Sequence, residues 1–130
     1  MSTNKYGEAA IQATKLYTSK LVNSPQDAWE QATKNIFGEG TSSQKKGCPK
    51  GAFLGLCEEG LVKGIPRGKF TNSTKNKDYA VLAVAILKNN TSLASDTIAL
   101  WKSVLRGIEK QHNSQMDVVT ALWNNGFIIR

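Results

Sequence analysis

The chain has no apolar stretch long enough to cross a membrane: its longest, Tyr79 to Leu87, covers nine residues where about 20 are needed. Residues 1–8, Met-Ser-Thr-Asn-Lys-Tyr-Gly-Glu, lack the apolar segment of a secretory signal. The expectation is a cytoplasmic protein with no membrane partner. Metal-binding side chains are scarce, with two cysteines (Cys48, Cys57) and one histidine (His112). With Glu58 and Glu59 they form neither a CxxC pair nor any paired-histidine spacing, so no metal and no cofactor is expected. Both cysteines are expected as thiols, because a Cys48–Cys57 disulfide would have to join the two ends of one helix. No heptad run is present, which argues against a coiled coil. Gly64-Ile-Pro-Arg-Gly-Lys resembles a phosphate loop only superficially: the GxxxxGK[ST] spacing is missing and no strand precedes it.

Acid is in short supply too, with ten Asp and Glu against 17 Lys and Arg for a net charge of +7. The imbalance is concentrated. Residues 45–77 hold eight basic side chains (Lys45, Lys46, Lys50, Lys63, Arg67, Lys69, Lys75 and Lys77) against Glu58 and Glu59, a net of +6. The same region holds both cysteines, two of the three prolines and six of the eleven glycines. Charge needed for solubility alone has no reason to collect in one third of a chain, so the window is read as the contact surface for an acidic partner, foremost a nucleic-acid backbone. The alternative is a protein–protein interaction or structural module whose basic loop is merely solvated.

At 130 residues the chain has the length of one domain, able to bury a core without disulfides or metal. Ala9, Ala10, Ala13, Leu16, Tyr17 and Leu21 share one side of a helical wheel. Ser24-Pro25 with Asp27 restarts the chain as a second helix, capped by Ser24 and stopped by Gly38, with Ala28, Trp29, Ala32, Ile36 and Phe37 inward. Residues 38–47 are expected as an exposed, mobile loop. Residues 79–88, apolar all round and rich in alanine, are expected as the central helix. Ser95 or Asp96 opens a helix burying Ile98, Trp101, Val104, Leu105 and Ile108, with Lys102, Arg106 and Lys110 as a basic row opposite. Ser114 caps the last helix, with Asp117 in its first turn.

Two segments share a pattern at an offset of 66 residues. Ala52, Phe53, Leu56, Gly60, Leu61 and Val62 align with Val118, Val119, Leu122, Gly126, Phe127 and Ile128. Each reads as a helix closed by a left-handed glycine, with the next apolar residue folding back onto the helix. The fold class that follows is all-α: one domain, 1–130, of about six short, orthogonally packed helices around the 79–88 helix. The expected core is Trp29, Phe53, Leu56, Tyr79, Leu82, Ile86, Trp101, Leu105, Leu122 and Trp123.

Three constellations carry candidate chemistry. Cys48, at the start of a helix and beside Lys45, Lys46 and Lys50, is where a thiol can be activated, and His112 is its one conceivable base. Against this pair, a lone cysteine is commonly a small buried residue and no oxyanion donor can be named, so the chain is not assigned an enzymatic activity. Glu58 and Glu59 point about 100° apart on a helix and are read as solvated charge near Lys63. The order helix, loop, helix, basic glycine-rich segment is that of a helix-turn-helix with a wing, which would bring Lys50 and Gly51 to the groove and Lys63, Arg67 and Lys69 to phosphates. The ten-residue turn, the two glutamates and the scarcity of exposed side chains on the second helix count against it.

Residues 47–66 (Gly-Cys-Pro-Lys-Gly-Ala-Phe-Leu-Gly-Leu-Cys-Glu-Glu-Gly-Leu-Val-Lys-Gly-Ile-Pro), Asn76-Lys-Asp-Tyr-Ala and His112-Asn-Ser-Gln-Met-Asp-Val-Val-Thr-Ala-Leu-Trp-Asn resemble a family of small uncharacterised bacterial proteins. That resemblance implies no activity, substrate or site residue.

Overall fold

Two helices begin at caps that the sequence marks, Ser24 and Asp96. A computed structural model describes residues 4–130 and gives six helices: α1 (Lys5–Thr18), α2 (Pro25–Phe37), α3 (Gly47–Glu58), α4 (Thr74–Asn89), α5 (Thr97–Leu105) and α6 (Gln115–Asn124), with a 3-10 turn at Thr91–Ser95 between α4 and α5. Ser24 Oγ accepts the Asp27 N–H at 3.0 Å, Pro25 stands in the first turn of α2, and Gly38 closes that helix at φ +93. Asp96 Oδ1 caps α5 by accepting the Ala99 N–H at 3.0 Å. One contiguous hydrophobic core joins the helices, and the fold is all-α.

The repeated pattern turns out to be a structural pairing. Gly60 and Gly126 sit at φ +70 and +79. Leu61 N–H returns to Leu56 C=O at 3.1 Å, and Phe127 N–H to Leu122 C=O at 2.9 Å, the glycine-closed helix ends expected of both segments. The two tails then meet. Val62 and Ile128 form an antiparallel bridge, flanked by Lys63 N–H to Phe127 C=O at 2.8 Å and Ile129 N–H to Leu61 C=O at 2.9 Å. The 66-residue offset takes Lys63 to Ile129 and Leu61 to Phe127, so it interchanges the two bonds, with the equivalent pair Val62 and Ile128 at the centre of the bridge, beside the packed pair α3 and α6.

Glycine spacing explains how closely the helices approach. A Cβ on Gly55 would come within 2.6 Å of Lys77 Cα, and one on Gly51 within 2.9 Å of the Cβ atoms of Ser73 and Asn76. Gly51 and Gly55 are one helical turn apart, so together they let the start of α4 lie almost against the α3 backbone. On the far side of α3, the rings of Trp29 and Phe53 stack at 5.3 Å. Gln115, fully buried at the start of α6, reaches α4 by donating to Asn76 Oδ1 at 3.0 Å and accepts the Asn113 N–H at 2.8 Å.

Several expected positions differ. α4 packs on α3, α5 and α6, but it buries one side only: Ala80, Ala83, Val84 and Leu87 are inside, whereas Tyr79, Leu82 and Ile86 are half-buried and Ala85 is exposed. The most enclosed helix is α3, buried at every residue from Gly51 to Glu58. Leu21 is 72% exposed because α1 ends at Thr18 and Lys20 turns left-handed at φ +62. α5 stops at Leu105, where Arg106 and Gly107 take φ +53 and +89. The expected basic row of Lys102, Arg106 and Lys110 is therefore not a helix face, and Ile98 and Ile108, expected inside, are 65% and 69% exposed. Ser114 does not cap α6 with its side chain. That role falls to His112, whose Nε2 accepts the Met116 N–H at 3.0 Å.

Candidate functional site

α3 ends on Glu58, and the buried carboxylate of that residue organises the basic region. Its Oε2 accepts the backbone N–H groups of Phe70 at 2.6 Å and Thr71 at 2.7 Å, and its Oε1 accepts from Lys77 Nζ at 2.9 Å. Lys77 Nζ also reaches Glu59 Oε2 at 2.8 Å. Burial alone would raise the Glu58 pKa, but the amides of Thr71 and Phe70 and the Lys77 ammonium outweigh it and hold the carboxyl at about 2. The Glu58 side chain is only 4% exposed. The reading of Glu58 and Glu59 as solvated charge beside Lys63 is thus corrected. The two side chains diverge as adjacent helical residues must, yet a lysine from the next helix bridges both.

Residues 62–73 run as a strap over this anchor. Backbone groups of an irregular strap need partners that a helix would supply internally, and Glu58 satisfies two of them. Arg67 folds over Gly60, where a Cβ would meet its Cγ at 2.8 Å. Phe70 is half-buried against the core.

Of the eight basic residues in the window, only Lys77 enters an ion pair among the described residues. Lys45, Lys50, Lys63, Arg67, Lys69 and Lys75 are exposed, and Lys46 lies 5.6 Å from the Tyr6 ring centroid. Lys50 links two depressions. One, about 390 Å³, is shared with Lys45, Gln44 and Trp29, and its two acids, Glu30 and Glu39, are both paired with Lys34. The other, about 400 Å³, is shared with Lys69, Thr71 and Asn72. Lys63 stands apart from both, sharing a third depression with Arg130. The loop at 38–47 is exposed but tied down: Gln44 Nε2 donates to Thr33 Oγ1 at 3.2 Å and Tyr6 Oη to Ser43 C=O at 2.9 Å.

The helix-turn-helix geometry does not carry over. Gly51 is buried against Ser73 and Asn76, and along the rest of α3 only Gly47 and Lys50 are exposed. No row of side chains on α3 could enter a groove. No hydrogen bond joins Cys48 to His112 among the described residues. Cys48 is half-buried in the first turn of α3, and its Sγ makes no hydrogen bond among the described residues. The His112 ring nitrogen Nε2 is committed to the Met116 amide. Burial lowers the His112 pKa, against the pull of Asp117, and burial drives the Cys57 thiol pKa far up. Among the described residues no group of three metal-binding side chains comes together and no helix is long and apolar enough to cross a membrane.

The model of a family of unknown function, DUF6979, matches residues 3–129. The chain belongs to that family. No curated protein and no solved structure matches it. The Glu58 clamp, the strap and the Lys50 depressions all lie inside the span that the family model covers.

Proposed function

We propose that this protein is a cytoplasmic binding module that engages the phosphate backbone of a nucleic acid, through a basic face centred on Lys50 with Lys45 and Lys69 on either side. The observation that carries this reading is the pair of depressions sharing Lys50, in which three exposed ammonium groups have no counter-ion of their own among the described residues. Such groups bind phosphates and release the counter-ions around them. Lys63, Arg67, Lys75 and Lys46 add field around that centre. Lys77 does not, because its charge is spent on Glu58 and Glu59. Binding of this kind positions a backbone without reading bases, which agrees with an α3 whose side chains are turned inward.

The test is the salt dependence of binding to duplex DNA, single-stranded DNA and RNA by wild type and by the Lys45→Gln/Lys50→Gln/Lys69→Gln variant. The log–log slope on duplex should flatten by about 2.7, at roughly 0.9 per lost phosphate contact. Helicity should not change, since all three side chains are exposed. Absence of binding to all three nucleic acids at low salt, or an unchanged slope, overturns the proposal.

A further inference from the structure

On another part of the surface, α5 and the arch of residues 106–113 enclose an open groove of about 530 Å³. Ile98 and Ile108 line it while 65% and 69% exposed, and Trp101 and Leu105 lie deeper in it. The arch is held in place. Trp101 Nε1 donates to Lys110 C=O at 2.9 Å, the His112 ring lies 5.3 Å from Trp101, and the Lys110 ammonium lies 5.8 Å from the Tyr79 centroid. Ile98 and Ile108 thus leave apolar surface in water on either side of one held groove, where a partner can cover both at once. Lys102 and Lys110 also border the groove, neither is in an ion pair among the described residues, and Glu109 is its one acid.

We propose that this groove seats an amphipathic, acidic helix of a partner protein, with the helix's apolar stripe over Ile98, Trp101 and Ile108 and its carboxylates on Lys102 and Lys110. An apolar floor between cations matches a helix carrying apolar residues at i, i+3 or i+4 and i+7 and acids beside them. A second copy of this chain fits less well. A two-fold contact through the groove would set patches containing Lys102 and Lys110 against their own counterparts, in a chain of net charge +7. None of the three lysines of the nucleic-acid face lines this groove, so the inference stands apart from that reading.

The experiment is selection from a displayed library of helical peptides of about 18 residues, apolar at i, i+3, i+4 and i+7 and random elsewhere. Wild type is the target, and the Ile98→Asp/Ile108→Asp variant is the counter-target. Both side chains are exposed, so the double variant should keep the wild-type circular dichroism spectrum and thermal transition. Recovered peptides should be rich in Asp and Glu beside the apolar stripe. Their affinity should fall at least about tenfold on the double variant and severalfold on Lys102→Glu/Lys110→Glu, with part of that loss regained when peptide acids become lysines. A selection that yields no peptide discriminating wild type from the double variant, or one that yields basic peptides, overturns the inference. So does a concentration-dependent dimer in sedimentation that the double variant abolishes, because the groove would then belong to a second copy.

Discussion

Replacing Glu58 by glutamine keeps the size of the side chain and removes the charge that three donors converge on. The glutamine oxygen can take the place of Oε2 and accept both strap amides, but more weakly than a carboxylate, and its NH2 group then faces the Lys77 ammonium, donor against donor. The clamp's worth follows from the carboxyl pKa, about 2 in the folded chain against 4.5 as the ordinary value. That difference corresponds to roughly 3 kcal/mol in favour of the ionised folded state, and a cost of about 2–4 kcal/mol is what loss of a buried, charge-assisted network brings. For a chain of this length the melting temperature should drop by on the order of 10 °C.

The pH dependence separates the clamp from a packing defect. The folded-state pKa lies below the unfolded one, so the ionised carboxylate's stabilisation is complete above pH 4.5 and is lost as pH falls through about 2. Urea unfolding followed by tryptophan fluorescence should therefore show a gap between wild type and Glu58→Gln that is constant above about pH 5 and closes toward pH 2. Lys77→Met should be coupled to Glu58→Gln by about 1–3 kcal/mol in a double-mutant cycle, and the Phe70 and Thr71 amides should exchange faster in either variant. A gap below about 0.5 kcal/mol at pH 7, or one of constant size down to pH 2.5, would refute the reasoning.

Gly55→Ala should cost about 1–3 kcal/mol in chemical denaturation, because the added Cβ meets Lys77 backbone. Gly47→Ala, with open space around it, should stay within about 0.5 kcal/mol of wild type. Equal effects of the two would remove the close-approach argument for α3 on α4. His112 must be neutral at Nε2 to accept the Met116 N–H, and its folded-state pKa is lowered. Its stabilisation is therefore complete above the unfolded value of about 6.5 and is lost as pH falls through the lower folded pKa. His112→Ala should cost about 1 kcal/mol above pH 6.5 and less in more acid solution; a proton NMR titration of this single histidine that gave a midpoint above 6.5 would contradict the capping role.

The helices, and the ends of α2, α3 and α6, were legible because their causes are local. Ser24, Pro25 and Gly38 each act on the residues beside them, and so do Gly60 and Gly126. Glu58 was not legible, since its partners lie 12, 13 and 19 residues away and nothing in its own helix points to them. The sequence did offer one clue: two adjacent acids stand alone in a window of eight cations. The role of the α3 glycines was not legible either, and only the four-residue spacing of Gly51 and Gly55 hints at a helix packed against a neighbouring backbone. The end of α5 was missed because Arg106 takes a left-handed conformation that residues other than glycine seldom adopt, which let the apolar periodicity appear to continue to Ile108.

The division of labour that emerges sets connections against helices. α3 and α6 spend their side chains on the core and on the two-fold bridge at Val62 and Ile128. What remains for partners lies mostly on irregular segments, the strap after α3 and the arch before α6, together with Lys50 on α3 and Ile98 on α5. If those two surfaces are independent, the proposed variants should separate them. Lys45→Gln/Lys50→Gln/Lys69→Gln should lower nucleic-acid affinity and leave selected peptides bound, and Ile98→Asp/Ile108→Asp should do the reverse. A single variant set that abolished both while the fold stayed intact would mean that one continuous surface, and not two, meets the partner.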